Sequence, residues 1–435
     1  MEGAQNPGLR FVDSHSIVVP MKSESATASK CAGSTDSDAP LWDFVTLKEY
    51  QLPPAVLDAS AVRRGVRGFV RNLLGRKREA QSPFSTEQNL QTLGEAQLSR
   101  LVPQPQWAPV AQALQQQLNN WMSQESPTKS VLFLVGPPYS GRRETLEALA
   151  ERDAFVQVTA PGSRAIVDCD NRWFKSWPRK RVWILPQLEK VYLRQADGLD
   201  LVREFLARAL LGELGQGIVG CDSWAWAFLR YVWAGRPSFC QTIQAFDHQR
   251  LMRLFTPAEQ SNVKHRFRHS DNGAYVLPPS DEVCHDSAKV STGFLEKLAA
   301  YSRGNPGVAG AIWRRSLQCL PEGAAGSEVS EVDPHHRDTV WVKSWERVQH
   351  PEVPADAGMV EATVLHGLLL HDGLSVAQLA AMLPDSRAQI SETILYLVEA
   401  GLVQPDEANC WRVAPAGYPA VRAFLQINDY LVDQF

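Results

Sequence analysis

The sequence has no Cys-x-x-Cys pair; its seven cysteines, at positions 31, 169, 221, 240, 284, 319 and 410, are scattered and odd in number. That pattern argues against a zinc site or a disulfide framework, and the compartment expected is reducing and cytoplasmic. Long uncharged apolar runs are missing as well. Residues 1–10 hold no apolar core of signal-peptide length, and the most hydrophobic later stretch, 217–233, contains Asp222 and Arg230, so no spanning helix is expected. Nor is there a surplus of basic charge. Forty-four Lys and Arg against 48 Asp and Glu give a formal net charge of −4, which removes the general attraction behind non-specific nucleic-acid binding. A nucleic-acid role would need a local patch.

What is present is ordinary for a globular protein, 44% hydrophobic and 21% charged over 435 residues, a length that fits two or three domains. Residues 1–60 read as a mostly disordered arm, because 22–40 is a run of Ser, Thr, Ala, Asp and Gly with too little apolar surface to offset ordering. Residues 61–97 form a basic amphipathic segment and linker. Val62, Val66, Phe69, Val70 and Leu73 share one side of a helix, Arg63, Arg64, Arg67, Arg71 and Arg78 take the other, and Arg76 and Lys77 add to them. The plain use of such a face is solvation; the functional one is contact with an anionic membrane, peripheral to it, or with an acidic protein.

From 98 to 255 strands alternate with helices: apolar runs at 131–135, 155–159, 182–185, 217–221 and 239–243 are separated by helical patterns such as 107–122 and 199–214. That alternation predicts an α/β domain with a mostly parallel sheet covered on both faces. Residues 256–320 predict a helical lid, with helices over 292–301 and 307–317. Residues 321–355 read as a linker, in which His335 and His336 lack spaced partners and read as surface residues. Residues 356–435 give three helices (360–370, 376–382, 388–400) and two short strands (402–404, 410–413), the pattern of a winged helix. The stretch 419–434 then places Val421, Phe424, Leu425, Asn428, Leu431 and Val432 on one side, predicting a helix that packs on the preceding domain in preference to an oligomer contact.

Gly136-Pro137-Pro138-Tyr139-Ser140-Gly141-Arg142-Arg143 follows an apolar strand and precedes a helix, the context of a phosphate-binding P-loop. A working loop needs a Lys after the second glycine to reach phosphate and then a hydroxyl residue to hold Mg²⁺. Here Arg142 and Arg143 stand at those positions. The broad guanidinium fork does not fit the compact site of an ammonium, and a cation offers magnesium no oxygen. The second acidic motif is weakened too. In Val182-Trp-Ile-Leu185 the strand ends on Pro186, where an Asp is expected, and Glu189 comes three residues later, read as a helix-start residue favoured by the macrodipole.

Residues 98–317 resemble the AAA+ and STAND classes of P-loop NTPase, including the initiator and type II secretion branches. The likeness rests on the loop, on 217–223, on 242–247 and on Gly304-Asn305-Pro306, similar to the lid's G-x-P element. The resemblance implies a sensor role for Asp222 or Ser223, a nucleotide-facing role for Arg303 or Arg314, and a G-x-P segment, with Gly304 and Pro306, that reports nucleotide to the winged helix. The plain alternatives are a helix cap at 222–223 and a solvated lid face at Arg314 and Arg315. The expected fold is thus a P-loop NTPase parallel sheet with a helical lid, followed by a winged-helix domain. The expected cofactor is none, or ATP or ADP without firm metal dependence. Three functions follow: a non-hydrolysing regulator or scaffold, a slow ATPase switch that needs two compensations, and a DNA-binding regulator. Charge opposes the last. Between 361 and 404, Glu361, Asp372, Asp385, Glu392 and Glu399 face Arg387 alone, so a protein partner is expected at the winged helix in place of DNA.

Overall fold

The structure, a computed structural model, describes residues 40–55, 90–123, 130–152, 154–235, 237, 239–256, 265–279, 290–320, 339–406 and 409–435. The expectations for the N-terminal arm, for the basic segment from Arg63 to Arg78 and for His335 and His336 lie outside the described residues. In chain order the elements are β1 (Phe44–Thr46), β2 (Gln91–Thr92), α1 (Glu95–Leu101), α2 (Trp107–Met122), β3 (Val131–Gly136), α3 (Arg142–Ala150), β4 (Phe155–Gln157), α4 (Ser163–Val167), β5 (Val182–Leu185), α5 (Asp200–Leu210), β6 (Gly217–Asp222), α6 (Ser223–Val232), β7 (Cys240–Ile243) and α7 (His248–Phe255). They continue through β8 (Arg266–His269), α8 (Gly293–Tyr301), α9 (Pro306–Ser316), β9 (Leu317–Cys319), β10 (Thr339–Val342), α10 (Met359–Leu370), α11 (Val376–Met382), α12 (Arg387–Glu399), β11 (Val403–Pro405), β12 (Trp411–Val413) and α13 (Tyr418–Ile427).

The main sheet has the order β1-β7-β3-β6-β5-β4. Its other five strands are parallel, and β1 adds an antiparallel edge with Phe44 opposite Ile243. Strands β3 and β6 are buried at every position, which is why both read as continuous apolar runs and not as alternation. Because β3 lies between β6 and β7, strands from later in the chain on both sides, the crevice at its carboxyl end is a topological switch point. The phosphate-type loop leaves β3 there.

The segment expected to be a helical lid differs. A second sheet, ordered β2-β9-β10-β8, takes strands from residues read as linker and as lid. β10 pairs in parallel with β8 and antiparallel with β9. Its Thr-Val-Trp-Val is buried throughout, so the linker assigned to 321–355 carries part of a core. Phe255 stacks on Trp313 with ring centroids 5.2 Å apart, and Phe294 and Phe267 close on the same indole.

The C-terminal part consists of four helices, α10 to α13, and a two-stranded hairpin. Ser375 and Ser386 cap α11 and α12 in capping boxes with Gln378 and Gln389. α10 is apolar nearly all round, with eight buried residues, because it sits between the other helices and α6. The helix expected over 419–434 stops at Ile427. Asp429 takes a left-handed φ of 59° and the Tyr430 N–H returns to Leu425 O at 3.0 Å, a C-terminal stop that turns the last residues back. Among the described residues no helix is long and apolar enough to cross a membrane.

Candidate functional site

The loop after β3 keeps a tight turn. Gly141 has φ 85° and caps α3, and Ser140 N–H bonds to Pro137 O at 3.2 Å. Tyr139 is left-handed too, at φ 66°. For a tyrosine that is strained, and three tertiary contacts hold it: its hydroxyl donates to Val413 O on β12, its carbonyl accepts from Gly307 N–H at 3.1 Å, and the Arg412 guanidinium lies 5.4 Å over its ring.

Arg142 does not face the crevice mouth. Its guanidinium turns into the sheet, donating to Pro186 O and to Glu189 Oε1, both at 2.8 Å. The ion pair is buried, with the two side chains 5% and 0% exposed. Burial alone would lower the Arg142 pKa, but Glu189 and Asp222 outweigh it and hold the value above the usual one. The second oxygen of Glu189 accepts the Asp222 N–H at 2.9 Å. Asp222 itself caps α6, its Oδ1 accepting from Trp224 N–H at 2.9 Å. Burial first, and Glu189 second, raise its pKa well above the carboxylate range. Arg143 points away: it pairs with Glu147 one turn along α3, both half-exposed.

The Gly304-Asn305-Pro306 element lies directly on this loop. Asn305 Oδ1 caps α9 through Gly307 and Val308 N–H, while its Nδ2 donates to Pro138 O. Gly304 carries φ 70° and accepts Phe246 N–H at 2.8 Å. A Cβ at Gly307 would stand 2.4 Å from Tyr139 O, and one at Gly141 would stand 2.5 Å from the Trp107 ring. Trp107 packs edge-on against Trp42, which packs against Phe246. Lid and aromatic side chains therefore meet the loop's backbone at contact distance.

Of the residues singled out in sequence, Gly136, Pro137, Pro138, Tyr139, Ser140, Gly141, Arg142, Asp222, Gly304 and Pro306 converge here. Ser223 instead donates to Asp433 of the C-terminal tail. The nucleotide-facing placement of Arg303 or Arg314 is not what the structure has. Arg303 bonds to the main-chain oxygen of Phe435, and Arg314 to Glu95 and Val102 O. Glu189, read as a helix-start residue, is the buried partner of Arg142. The turn after β5 also seats the C-terminal helices, which the sequence reading missed. Gln187 donates to Asp372, Lys190 to the carbonyls of Asp372 and Gly373 at 2.9 Å each, and Tyr192 to Leu370 O at 2.8 Å. Asp372 pairs with Arg412, and His371 Nδ1 meets Glu189 O at 3.3 Å. Burial lowers the pKa of His371 to about 3 and that of His366 to about 4, so both are neutral at pH 7. Gln187, Glu189 and Lys190, the polar residues close after Pro186, were the available signal for this seat.

No protein-family model matches the chain, and no curated protein matches it. Among solved structures, a RuvB variant of Thermotoga maritima is similar at 13% identity and TM-score 0.28, over 78% of this chain and 96% of that one. Cdc6p of Pyrobaculum aerophilum gives 12% and 0.28 over 77% and 99%, and the ORC2 protein of Aeropyrum pernix 14% and 0.29 over 75% and 96%. Superpositions this loose leave the fold to rest on the chain's own geometry.

Proposed function

We propose that this chain is a degenerate AAA+-type P-loop protein whose nucleotide site has become a structural joint, and that it works as a non-hydrolysing regulatory or scaffold protein. The observation that carries the reading is the direction of Arg142. The cation that should reach phosphate is consumed by Glu189 and Pro186 O inside the sheet, and a buried ion pair gives up a partner only at a cost of several kcal/mol. Arg143 offers metal no oxygen, and Pro186 supplies no carboxylate. These residues do not fit a magnesium nucleotide, and no catalytic step is drawn through one.

The three helices and hairpin are read as a winged helix turned to protein contact. The exposed face of α12 carries Arg387, Gln389, Glu392, Leu395 and Glu399, with Leu395 59% exposed. Two carboxylates there repel DNA phosphates, while an exposed leucine suits a protein surface. The segment from Arg63 to Arg78 remains a proposed tether to an acidic protein or anionic membrane.

Calorimetric titration with ATP and ADP, with and without Mg²⁺, together with a turnover assay, tests the joint. No appreciable hydrolysis is expected. Magnesium-dependent turnover at an ordinary NTPase rate, abolished by Arg142→Ala, would overturn the reading.

A further inference from the structure

A cavity of about 1010 Å³ lies between the turn after β1, the helix α6, the segment leading into β7 and the C-terminal tail. Its walls are rich in aromatic rings, among them Tyr50, Trp226, Phe239 and Phe435, and Tyr50 and Phe435 pack against each other with centroids 4.8 Å apart. Two cations, Lys48 and Arg230, line it, and no acidic side chain does among the described residues. Both are exposed. Neither has a hydrogen-bond or ion-pair partner among the described residues, whereas Arg203 on the neighbouring helix α5 pairs with Asp200 and Arg250 on α7 with Asp43. A lone solvated cation means little. Two unpaired ones facing a single apolar cavity with no acidic side chain in its lining give it a charge requirement.

The charge also limits the head group. Ser223, at the N-terminus of α6, lines the cavity, but that terminus is already capped by Asp222 and the Ser223 hydroxyl is committed to Asp433. The positive groups left to a ligand are the two side chains, which suit a singly charged carboxylate better than a polyphosphate; a guanidinium can hold a carboxylate through two parallel bonds. The size is that of a small-molecule site and leaves room for an extended apolar body.

We infer that this cavity binds an amphipathic carboxylate, with its acyl body on the aromatic floor and its head at Lys48 and Arg230. The inference goes beyond the reading of the P-loop and does not rest on it. Because Leu431, Val432 and Phe435 form one wall, and the same tail pins Ser223 and Arg303, an occupant also holds the tail against the sheet domain.

The test is titration of the full chain with dodecanoate below its micelle concentration, read by calorimetry and by thermal midpoint. Dodecyltrimethylammonium serves as the probe of opposite charge, and acetate as the head alone. Saturable binding at one site with a raised midpoint is expected for dodecanoate only. Lys48→Glu with Arg230→Glu should weaken it by about tenfold or more, as reversal of two nearby charges does at a part-exposed site, with the unliganded midpoint unchanged. Lys48→Gln with Arg230→Gln repeats the measurement should the reversed pair fold poorly. Absence of saturable dodecanoate binding, equal affinity for the ammonium probe, or undiminished binding by both double variants would each overturn the inference.

Discussion

If Arg142 and Glu189 form the joint on which the loop rests, removing either charge alone must cost far more than removing both. The pair is 2.8 Å apart with side chains 5% and 0% exposed, so neither charge has water to fall back on. Breaking a buried pair from one side typically costs about 3–5 kcal/mol, because the survivor is left charged and unpaired, while replacing both partners with neutral groups of similar size is near neutral. Glu189→Gln keeps an acceptor for the Asp222 N–H and removes only the charge; Arg142→Met keeps the length of the side chain. Each single variant is expected to lose about 3 kcal/mol in urea denaturation followed by tryptophan fluorescence. The double variant should lose clearly less than their sum, giving a coupling of about 2 kcal/mol or more. Singles that cost under about 1 kcal/mol with additive effects would refute the argument, since such values belong to solvated pairs.

The same site makes three further predictions. Burial, and next Glu189, raise the Asp222 pKa above its unfolded value of about 4, so folding stability falls as pH rises from there; Asp222→Asn keeps the cap acceptor, and its advantage over the wild type in urea midpoint should widen as pH rises above about 4, a flat difference counting against the raised value. His366 and His371 behave oppositely: their folded pKa values of about 4 and about 3 lie below the unfolded value of about 6.5, so the stability they allow is complete above pH 6.5 and is lost as pH falls below it, and His366→Gln with His371→Gln should flatten the loss measured between pH 7 and pH 5. Gly307→Ala would set a Cβ 2.4 Å from Tyr139 O, and overpacking of that kind should cost about 1–3 kcal/mol in thermal or urea unfolding; an unchanged midpoint would mean that the lid is not seated on the loop.

The sheet domain was legible where burial is continuous. The runs beginning at Val131, Val182 and Gly217 read as strands because parallel strands covered on both faces have no polar alternation to obscure them. β1 and β2, three and two residues long, carry too little pattern to stand out, and their pairing is decided by partners some 200 residues away. The second sheet escaped for the same reason, although Thr339-Val-Trp-Val342 has the β-branched and aromatic composition of a strand. At the site, the sequence identified the substituted positions but not where their side chains go. Nothing local says that Arg142 turns inward, or that the short turn at Leu188–Lys190 carries the Glu189 carboxylate beneath it. The left-handed Tyr139 was equally silent, since a tyrosine takes that conformation only when contacts such as those to Val413, Gly307 and Arg412 hold it there.

The residues of the loop after β3 and of the turn after β5 fit one another. A loop that had merely lost its lysine would leave whatever replaced it to find water. Here the longer guanidinium reaches the carbonyl of Pro186, the residue standing where a metal-binding Asp would be, and Glu189 meets its charge. The guanidinium has room because Gly220 on β6 lacks a side chain: a Cβ there would lie 2.1 Å from Pro186 O and 2.9 Å from Arg142 Nη1. Glu189 in turn presents its carbonyl to His371, next to the Asp372 that pairs with Arg412, and Arg412 covers the Tyr139 ring. From loop to second motif to C-terminal helices and back to the loop, these contacts form one connected chain. An uncompensated buried charge costs several kcal/mol wherever it appears, and Glu189 compensates that of Arg142. The same contacts join the sheet domain to the C-terminal helices, and on that ground the arginine, the proline and the glutamate are parts of one device.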